Sequence, residues 1–424
     1  MTDMSWIATT LTASRPRAVA ALLRYFRDLD TAEEAFQEAS LRALQHWPGG
    51  GPPRDALAWL IFVGRNAALD EVRRRNRYDA LPEDEAGIGG SSDVDDAEAR
   101  LIEQLDHAHY RDDVLRLLFI CCHPALPLTQ QIALALRIVS GLSVQEIARA
   151  FLVGESAMEQ RITRAKKRVA SAGIAFDAPG AQERGERLAA VRTTVYLLFN
   201  EGYAASGGTE HVRAPLCEEA IRLARLLREL FPDDPELMGL SALLLLQHAR
   251  AGARLDAEGM VVLLEDQDRS RWQRTLIDEG LALVEAALRR GQPGPYQLQA
   301  AIAAMHAQAA HAADTDWAEI DRLYAVLEVL QPTPVVTLNR AVAVARLRGP
   351  AAGLSMIGPL AGPLSAYFHF HGLKGGLLMQ LGRTEEAHAA FSQALALART
   401  AAEAAHIRGL IDRLAAPAAS SLAP

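Results

Sequence analysis

A group of basic and amide side chains near the middle of the chain has the chemistry needed to read DNA bases. They fall in the segment SAMEQRITRAKKRV, residues 156–169. In the major groove, arginine and lysine pair with guanine, and glutamine pairs with adenine. The side chains suited to such contacts are Gln160, Arg161, Arg164, Lys167 and Arg168. The apolar residues that repeat at helical spacing, and so predict the buried side of the same helix, are Met158, Ile162, Ala165 and Val169.

The residues just before this segment predict a short partner helix and a turn. Ser143 and Glu146 have the S-x-x-E spacing of a capping box, in which two side chains satisfy the first amides of a helix. Ser156 and Glu159 repeat that spacing, and Gly154 can adopt the backbone of a tight turn. Two such helices are what a helix-turn-helix needs to place its second helix in the major groove. By spacing alone, any short helical pair with a solvated basic face fits as well.

A second basic helix is predicted over Leu57–Arg77, which reads LAWLIFVGRNAALDEVRRRNR. Its first half is apolar, and its last turns carry arginines that include Arg73 and Arg74. Basic residues late in a helix interact favourably with its dipole, and they also form a phosphate-binding end. Trp59 fits either a core position or a surface on which an unpaired base stacks.

An amphipathic helical pair is predicted upstream, over Ala18–Trp47. Asp30 or Thr31 could cap its second helix. The predicted packing side of that helix consists of Ala35, Phe36, Ala39 and Leu44. The predicted exposed side consists of Glu33, Glu34, Gln37, Glu38 and Arg42. These residue types alone do not distinguish a binding surface from an ordinary surface helix.

The charge of the chain restricts how it could bind nucleic acid. The formal net charge of the 424 residues is −8, so binding must depend on local patches rather than on a globally basic chain. Residues 114–172 form such a patch, with eight basic and three acidic residues. Before it, the acidic stretch Leu81–Asp96, rich in Gly and Ser, predicts a mobile linker.

Three cysteines in so long a chain indicate no disulfide framework. The N-terminus has no signal-peptide pattern, so we expect a cytoplasmic protein. The longest apolar run, Leu240–Leu246, is too short to span a bilayer, so we expect no membrane association. Cys121, Cys122 and His123 lack zinc-site spacing, which favours buried thiols and no metal. We also expect no cofactor, because the chain has no phosphate-binding loop or metal motif.

The part of the chain after residue 188 predicts helices of moderate length broken by Gly and Pro, as in stacked helical hairpins. The clearest pair has tetratricopeptide consensus residues at Gly375, Leu378, Ala387, Phe391 and Ala394. Two stretches are more polar and aromatic than a solenoid requires, FNEGY at 199–203 and EDQDRSRWQ at 265–273. Their candidate regulatory or partner-binding residues are Asn200, Glu201, Tyr203, Asp268, Arg271 and Trp272. A salt-bridged helix junction explains the second stretch equally well.

Taken in order, these segments resemble a bacterial extracytoplasmic-function RNA polymerase sigma factor over about Ala18–Ala172. TAEEAFQEASLRAL is similar to the sigma-2 segment that docks on polymerase, and SVQEIARAF with AMEQRITRAKKRV is similar to sigma-4. AWLIFVGRNAALDEVRRR is similar to the minus-10 segment AWL…ARN…D..RR, with Gly64 where the family usually has alanine. The part after Ala172 resembles the group with a C-terminal tetratricopeptide-like domain.

The resemblance implies an all-α chain that binds core RNA polymerase and promoter DNA and has no catalytic site. The implied domains are sigma-2 at 1–79, an acidic linker at 80–110, sigma-4 at 111–173, a linker at 174–187, helical repeats at 188–415 and a tail at 416–424. The implied minus-35 residues are Gln160, Arg161, Arg164, Lys167 and Arg168. The implied minus-10 residues are Trp59, Arg65, Asn66, Arg73 and Arg74. The implied polymerase-binding residues are Glu34, Gln37 and Glu38.

By the same resemblance, the helical repeats are a built-in regulator or bind a protein or peptide partner. Two other functions are consistent with the residues. A one-component transcription regulator would use the repeats as a ligand sensor and bind duplex DNA without polymerase. An enzyme or scaffold built on the repeats is the third possibility, although the sequence has no nucleophile motif to support it.

Overall fold

The computed structural model describes residues 5–51, 53–78, 107–151, 153–171, 181–204, 214–256, 262–398 and 401–415. The regular structure of these residues is helical, without β-strands, which confirms the all-α prediction. The chain divides into two compact units, Met1–Val195 and Tyr196–Pro424. None of the described helices is long and apolar enough to cross a membrane. The acidic stretch 81–96 and the tail 416–424 lie outside the described residues.

The first unit is built from short and medium helices. They are α1 (Ser5–Phe26), α2 (Leu29–Gly50), α3 (Ala56–Tyr78), α4 (His107–Cys121), α5 (Leu128–Ala135), α6 (Val144–Ala150), α7 (Glu155–Ser171) and the first part of α8 (Ala181–Ala204). The helices α1, α2 and α3 pack against one another, and α7 packs on α5 and α6. A π-helical turn, Leu136–Ser140, follows α5, and α1 packs on both this turn and α4.

The second helix of the upstream pair begins earlier than predicted. Asp28, not Asp30 or Thr31, is its N-cap residue, and its carboxylate accepts a hydrogen bond of 2.7 Å from the Thr31 backbone amide. At the other end, α2 continues through Pro48 and ends at Gly50. Gly51 is the C-cap residue, and its φ of 78° lies in the left-handed region that glycine tolerates. The predicted long helix over 57–77 is confirmed as α3.

Gly64 allows a close approach of α3 to α2. A Cβ atom at this position would lie 2.8 Å from the Ala35 carbonyl oxygen and 3.3 Å from a methyl group of Leu22. Because the first neighbour is backbone, side-chain rotation cannot relieve the contact. The glycine therefore sets the spacing of the two helices.

The second unit is a succession of helices, most of which pack on the next helix along the chain. They are the second part of α8, then α9 (Ala214–Leu230), α10 (Pro235–His248), α11 (Arg274–Leu288), α12 (Pro295–Gln308), α13 (Trp317–Leu330), α14 (Pro334–Arg348), α15 (Pro350–Ile357), α16 (Phe368–Gln380), α17 (Thr384–Leu397) and α18 (Ala401–Ala415). In addition, α10 packs on α12 and α14 packs on α16. Contacts with next and next-but-one neighbours are typical of stacked helical pairs.

The predicted breakers lie where these helices begin. Pro235, Pro295, Pro334 and Pro350 each occupy a first-turn position, where proline needs no hydrogen-bond partner for its nitrogen. The pair α16–α17 packs through the predicted consensus residues Leu378, Ala387, Phe391 and Ala394, all buried in one cluster with Ile407. Gly375 makes room for the Phe391 ring, since a Cβ atom there would lie 2.5 Å from it.

Candidate functional site

The helix α7 has the two faces that its sequence predicts. The apolar residues Met158, Ile162, Ala165 and Val169 are buried. On the other side Gln160, Arg164, Lys167 and Arg168 are exposed, and Arg161 is half-buried. Arg164 donates a hydrogen bond of 3.1 Å from Nη2 to Oε1 of Gln160. This bond aligns a guanidinium and an amide on one exposed surface, where both can approach base edges.

One of the two predicted capping boxes is present. The Ser143 backbone amide and hydroxyl each donate to Oε2 of Glu146 at 2.7 Å, and the Glu146 amide donates to the Ser143 hydroxyl at 3.1 Å. The second prediction is wrong, because α7 begins at Glu155 and Ser156 therefore lies inside it. The Gly154 carbonyl accepts the first helical bond, from the Met158 amide at 3.1 Å. A glycine thus occupies the cap position of the basic helix.

The prediction that Glu33 is exposed is wrong. This residue is 3% exposed, and its carboxylate contacts three cations. Nε of Arg137 lies 2.8 Å from Oε1, Nζ of Lys166 lies 2.9 Å from Oε2, and Nη2 of Arg15 lies 3.4 Å from Oε1. Lys166 also contacts Asp30 at 2.5 Å. The cations come from α1, the π-helical turn and α7, so one carboxylate on α2 joins segments that are distant in sequence.

The ion cluster around Glu33 also supplies hydrogen-bond donors to backbone carbonyls of the π-helical turn. Arg15 donates from Nε to the Ile138 carbonyl at 3.0 Å and from Nη2 to the Arg137 carbonyl at 3.1 Å. Burial lowers the pKa of Lys166, but its hydrogen bonds to Asp30 and Glu33 and their charges outweigh that effect and raise the pKa above its usual value. Sequence reasoning missed this cluster. The available signal was that Glu33 lies three residues before the buried Phe36, on the same side of the helix.

Two of the other acidic and amide residues predicted to be exposed on α2 are exposed, and the third is half-buried. Glu34 and Gln37 are exposed, and Glu38 is half-buried, with an ion pair of 2.9 Å to Arg42 one turn later. Leu44, predicted to pack inward, is instead 46% exposed. An exposed polar surface therefore remains on α2 beside the buried carboxylate.

The basic helix α3 contributes aromatic and cationic side chains. Trp59 is half-buried, and its ring centroid lies 5.3 Å from that of Trp47, so it is a partial core residue with some accessible surface. The Arg65 guanidinium lies 4.4 Å above the Tyr25 ring, and Asn66 is half-buried. Arg73 and Arg74 belong to the last turns of α3, but their side chains lie outside the described residues.

The adjacent cysteines of the first unit are packing residues. Cys121 is fully buried and Cys122 is 3% exposed. Burial raises the pKa of Cys121 well above its usual value and that of Cys122 to about 12. Both thiols are therefore protonated at neutral pH and are poor nucleophiles and poor metal ligands. No group of three potential metal ligands occurs within the described ranges.

In the second unit, Arg250 joins the two stretches FNEGY and EDQDRSRWQ. Its Nη2 donates to the Tyr203 hydroxyl at 2.9 Å and to Gln247, and its guanidinium lies 6.0 Å from the Trp272 ring centroid. Trp272 is 7% exposed, and Arg269 lies 4.7 Å from its centroid. The sequence singled out Tyr203 and Trp272 but not Arg250, because that residue lies in neither stretch.

The remaining candidates of these two stretches have different surroundings. Asp268 is exposed and caps a short 3₁₀ helix, since its carboxylate accepts from the Ser270 amide at 2.9 Å. Arg271 is an exposed residue of the same turn. Asn200 lines a cavity of about 340 Å³ together with Tyr203, whereas Glu201 is half-buried and does not line it. The stretch 265–273 is therefore a capped helix junction with an arginine–tryptophan contact.

Three segments of the chain match known family models. Residues 11–78 match the family described as Sigma-70 region 2, and residues 116–169 match Sigma-70, region 4. Residues 187–288, which include Tyr203, Arg250 and Trp272, match a family of unknown function, DUF6596.

Two whole-chain similarities accompany these matches. An uncharacterized protein of Rhizobium meliloti (strain 1021) is 64% identical over 420 residues, which cover 99% of this chain and 98% of that protein. The crystal structure of yeast Tom70 is similar at 12% identity with a TM-score of 0.37, over 95% of this chain and 82% of that chain.

Proposed function

We propose that this chain, which belongs to the sigma-70 family of transcription initiation factors, is a sigma factor of the extracytoplasmic-function type. In that role it binds core RNA polymerase and directs it to promoters. The observation that carries this proposal is the order of the two matched regions. Region 2 at residues 11–78 precedes region 4 at 116–169, and only residues 79–115 lie between them. The extracytoplasmic-function type of sigma factor is defined by these two sigma regions in this order.

Region 4 supplies the proposed minus-35 contacts. In α7 the exposed Gln160, Arg164 and Lys167 would approach base edges or phosphates, with Arg161 and Arg168 on the flanks. Each well-formed bidentate contact between a side chain and a base contributes about 1–3 kcal/mol of discrimination. The capped helix α6 supports α7 from behind, as the first helix of a helix-turn-helix does.

Region 2 supplies the proposed polymerase and minus-10 contacts. The surface formed by Glu34, Gln37 and Glu38 on α2 would meet a basic surface of polymerase, where acidic groups increase the association rate and orient the partner. Trp59, Arg65, Asn66, Arg73 and Arg74 of α3 would lie along the minus-10 strand. Stacking on an aromatic ring and contacts with phosphates offset part of the cost of unstacking bases.

The closed arrangement of the first unit must open for both contacts to form at once. Lys166 on α7 is bonded to Glu33 on α2, and α2 packs on α3. The helices α7 and α3 therefore belong to one compact unit, in which α2 links them. The minus-35 and minus-10 elements lie about 25 base pairs apart, which corresponds to about 85 Å of duplex at 3.4 Å per base pair. Polymerase binding would therefore favour a second state in which α7 has left α2.

The proposal is tested with Arg164→Glu in promoter-directed transcription by the purified chain and core polymerase. Among the described residues Arg164 is exposed and forms no ion pair, so its reversal should leave the fold intact while it repels the DNA backbone. We expect loss of specific transcripts with unchanged core binding. Arg408→Glu, at an exposed position of α18, is the matched control and should transcribe normally.

Two results would contradict the proposal. If Arg164→Glu transcribes as well as the unaltered chain, α7 is not the minus-35 helix. If the chain binds promoter duplexes tightly in a gel-shift assay without polymerase and supports no specific initiation with polymerase, a one-component regulator fits better.

We further propose that the second unit regulates this activity or binds a partner, because it contains cavities far larger than packing requires.

A further inference from the structure

The second unit contains two adjoining cavities with volumes of about 1140 Å³ and 340 Å³. Four residues line both of them, so the cavities share a wall, formed by Leu264, His306, Tyr324 and Asn339. Small-molecule sites typically enclose about 300–1,000 Å³, so the larger cavity alone has room for an organic ligand.

Two arginines beside the shared wall, Arg250 and Arg269, hydrogen-bond to neutral atoms of the described residues. Arg250 donates to the Tyr203 hydroxyl at 2.9 Å and to Gln247. Arg269 donates to the Ala309 carbonyl at 2.6 Å and to the His306 carbonyl. Both guanidinium groups also contact the Trp272 ring. Within the described part of the chain, no carboxylate lies within ion-pair distance of either arginine, although Asp314 acts on Arg269 from farther away.

The charge around the shared wall is therefore positive. Burial, together with the charges of Arg250 and Arg269, lowers the pKa of His306 to about 4, so this histidine adds no charge at neutral pH. Three acidic residues line the larger cavity: Glu265 forms an ion pair with Arg346, Asp266 is exposed to solvent, and Glu403 of α18 acts on His369 of α16. Partly desolvated cations that lack an anionic partner are unfavourable, and a bound anion would relieve that cost.

The rest of the larger cavity is apolar and aromatic. Trp317, Tyr324 and Phe368 contribute rings, and Ile407 and Leu410 contribute aliphatic surface. Aromatic side chains contribute large contact areas and prefer offset or edge-on ring partners. Arg269 lines this larger cavity, and Arg250 lines the smaller cavity across the shared wall. The two cavities together thus combine a cationic region at the shared wall with a surface suited to a flat hydrophobic body.

We propose that the second unit binds an amphipathic organic anion, whose carboxylate, sulfonate or phosphate group lies beside Arg250 and Arg269 and whose aromatic or apolar body lies against Trp317, Tyr324 and Phe368. The anionic group takes over the guanidinium hydrogen bonds that neutral atoms now accept. This site goes beyond the role in transcription initiation, and it depends only on the geometry of the second unit.

The experiment uses two fluorescent probes with the same kind of aromatic body and the full-length chain. One is 8-anilinonaphthalene-1-sulfonate, which carries an anionic group, and the other is N-phenyl-1-naphthylamine, which is neutral. We expect saturable binding of the sulfonate, weakened about tenfold or more by Arg250→Gln or Arg269→Gln, because hydrogen bonds to charged groups are the stronger ones. The neutral probe should bind both variants as it binds the unaltered chain.

Two controls make the result decisive. Arg274→Gln removes a side chain that is 72% exposed and lies on α11 away from both cavities, so it should leave sulfonate binding unchanged. Arg250→Lys keeps the charge and should retain most of the affinity, which separates loss of charge from loss of fold. Far-ultraviolet circular dichroism checks that each variant is folded.

The proposal is overturned if the sulfonate binds no more tightly than the neutral probe. It is also overturned if folded Arg250→Gln and Arg269→Gln bind the sulfonate as the unaltered chain does, or if Arg274→Gln weakens binding equally. The assay contains neither polymerase nor DNA, so its failure leaves the proposed sigma function standing, and failure of that function leaves the binding site standing.

Discussion

Replacing Glu33 with glutamine should destabilise the first unit far more than the same change at Glu38 on the same helix. The Glu33 carboxylate is buried and lies within 3.4 Å of Arg15, Arg137 and Lys166. A glutamine of nearly the same shape keeps the packing but removes the charge. Arg15 then loses its anionic partner while its side chain is only 8% exposed, and Lys166 keeps only the exposed Asp30.

The size of the effect follows from the burial of the groups. Removal of one partner from a buried ion pair costs about 3–5 kcal/mol, because the remaining charge is left uncompensated. The side chains of Arg137 and Lys166 are 22% and 18% exposed and can turn partly toward water, which reduces the cost. We therefore expect Glu33→Gln to lower the free energy of unfolding of the first unit by about 2–4 kcal/mol. Glu38→Gln removes an ion pair at the surface and should cost about 0.5 kcal/mol or less.

Hydrogen exchange measured by mass spectrometry on the full chain reports this difference locally. At 1.4 kcal/mol per factor of ten, protected amides of α1, α2 and α7 should exchange about 30- to 700-fold faster in Glu33→Gln, while peptides from the second unit should not change. Equal exchange in Glu33→Gln and Glu38→Gln would refute the reasoning, because Glu33 would then not be the buried counter-ion of the three cations.

Three further changes have defined outcomes. Gly64→Ala gains about 1 kcal/mol of helix propensity but places a Cβ atom 2.8 Å from the Ala35 carbonyl oxygen. Urea unfolding should therefore show that the free energy of unfolding falls by about 1–2 kcal/mol. A stabilised variant would mean that α2 and α3 can move apart at little cost. In the folded chain the pKa of His306 is lowered from 6.5 to about 4, so between these pH values the imidazole is protonated in the unfolded chain but not in the folded one. The free energy of unfolding should therefore fall by roughly 2–3 kcal/mol as the pH drops from 6.5 to about 4. His306→Gln should flatten that decline in thermal unfolding, and an unchanged pH profile would contradict the assignment. Truncation after Ala204 keeps all of α8, whereas truncation after Ala172 removes it. A change in promoter-directed transcription by the longer fragment would therefore report regulation by the second unit and not damage to the first.

Much of the fold could be predicted because its signals are local. The buried face of α7, the capping box at Ser143, the boundaries of α3 and the proline-initiated helices of the second unit all depend on residues within a few positions of one another. The errors were also local. Asp28 rather than Asp30 or Thr31 caps α2, and Gly154 rather than Ser156 occupies the cap position of α7, because several neighbouring residues can fill a cap position and tertiary packing decides between them.

By itself, the sequence determined the helical class, the order of two DNA-associated segments and a repeat-like C-terminal part, since each of these depends on periodicity and short motifs. Only the tertiary structure decided which charges are partners. Glu33 meets Lys166 across 133 positions of the chain, and Arg250 meets Tyr203 across 47. Such pairings depend on how helices pack in space, and a polar residue at the edge of an apolar face gives no sign in sequence of whether water or another helix will cover it.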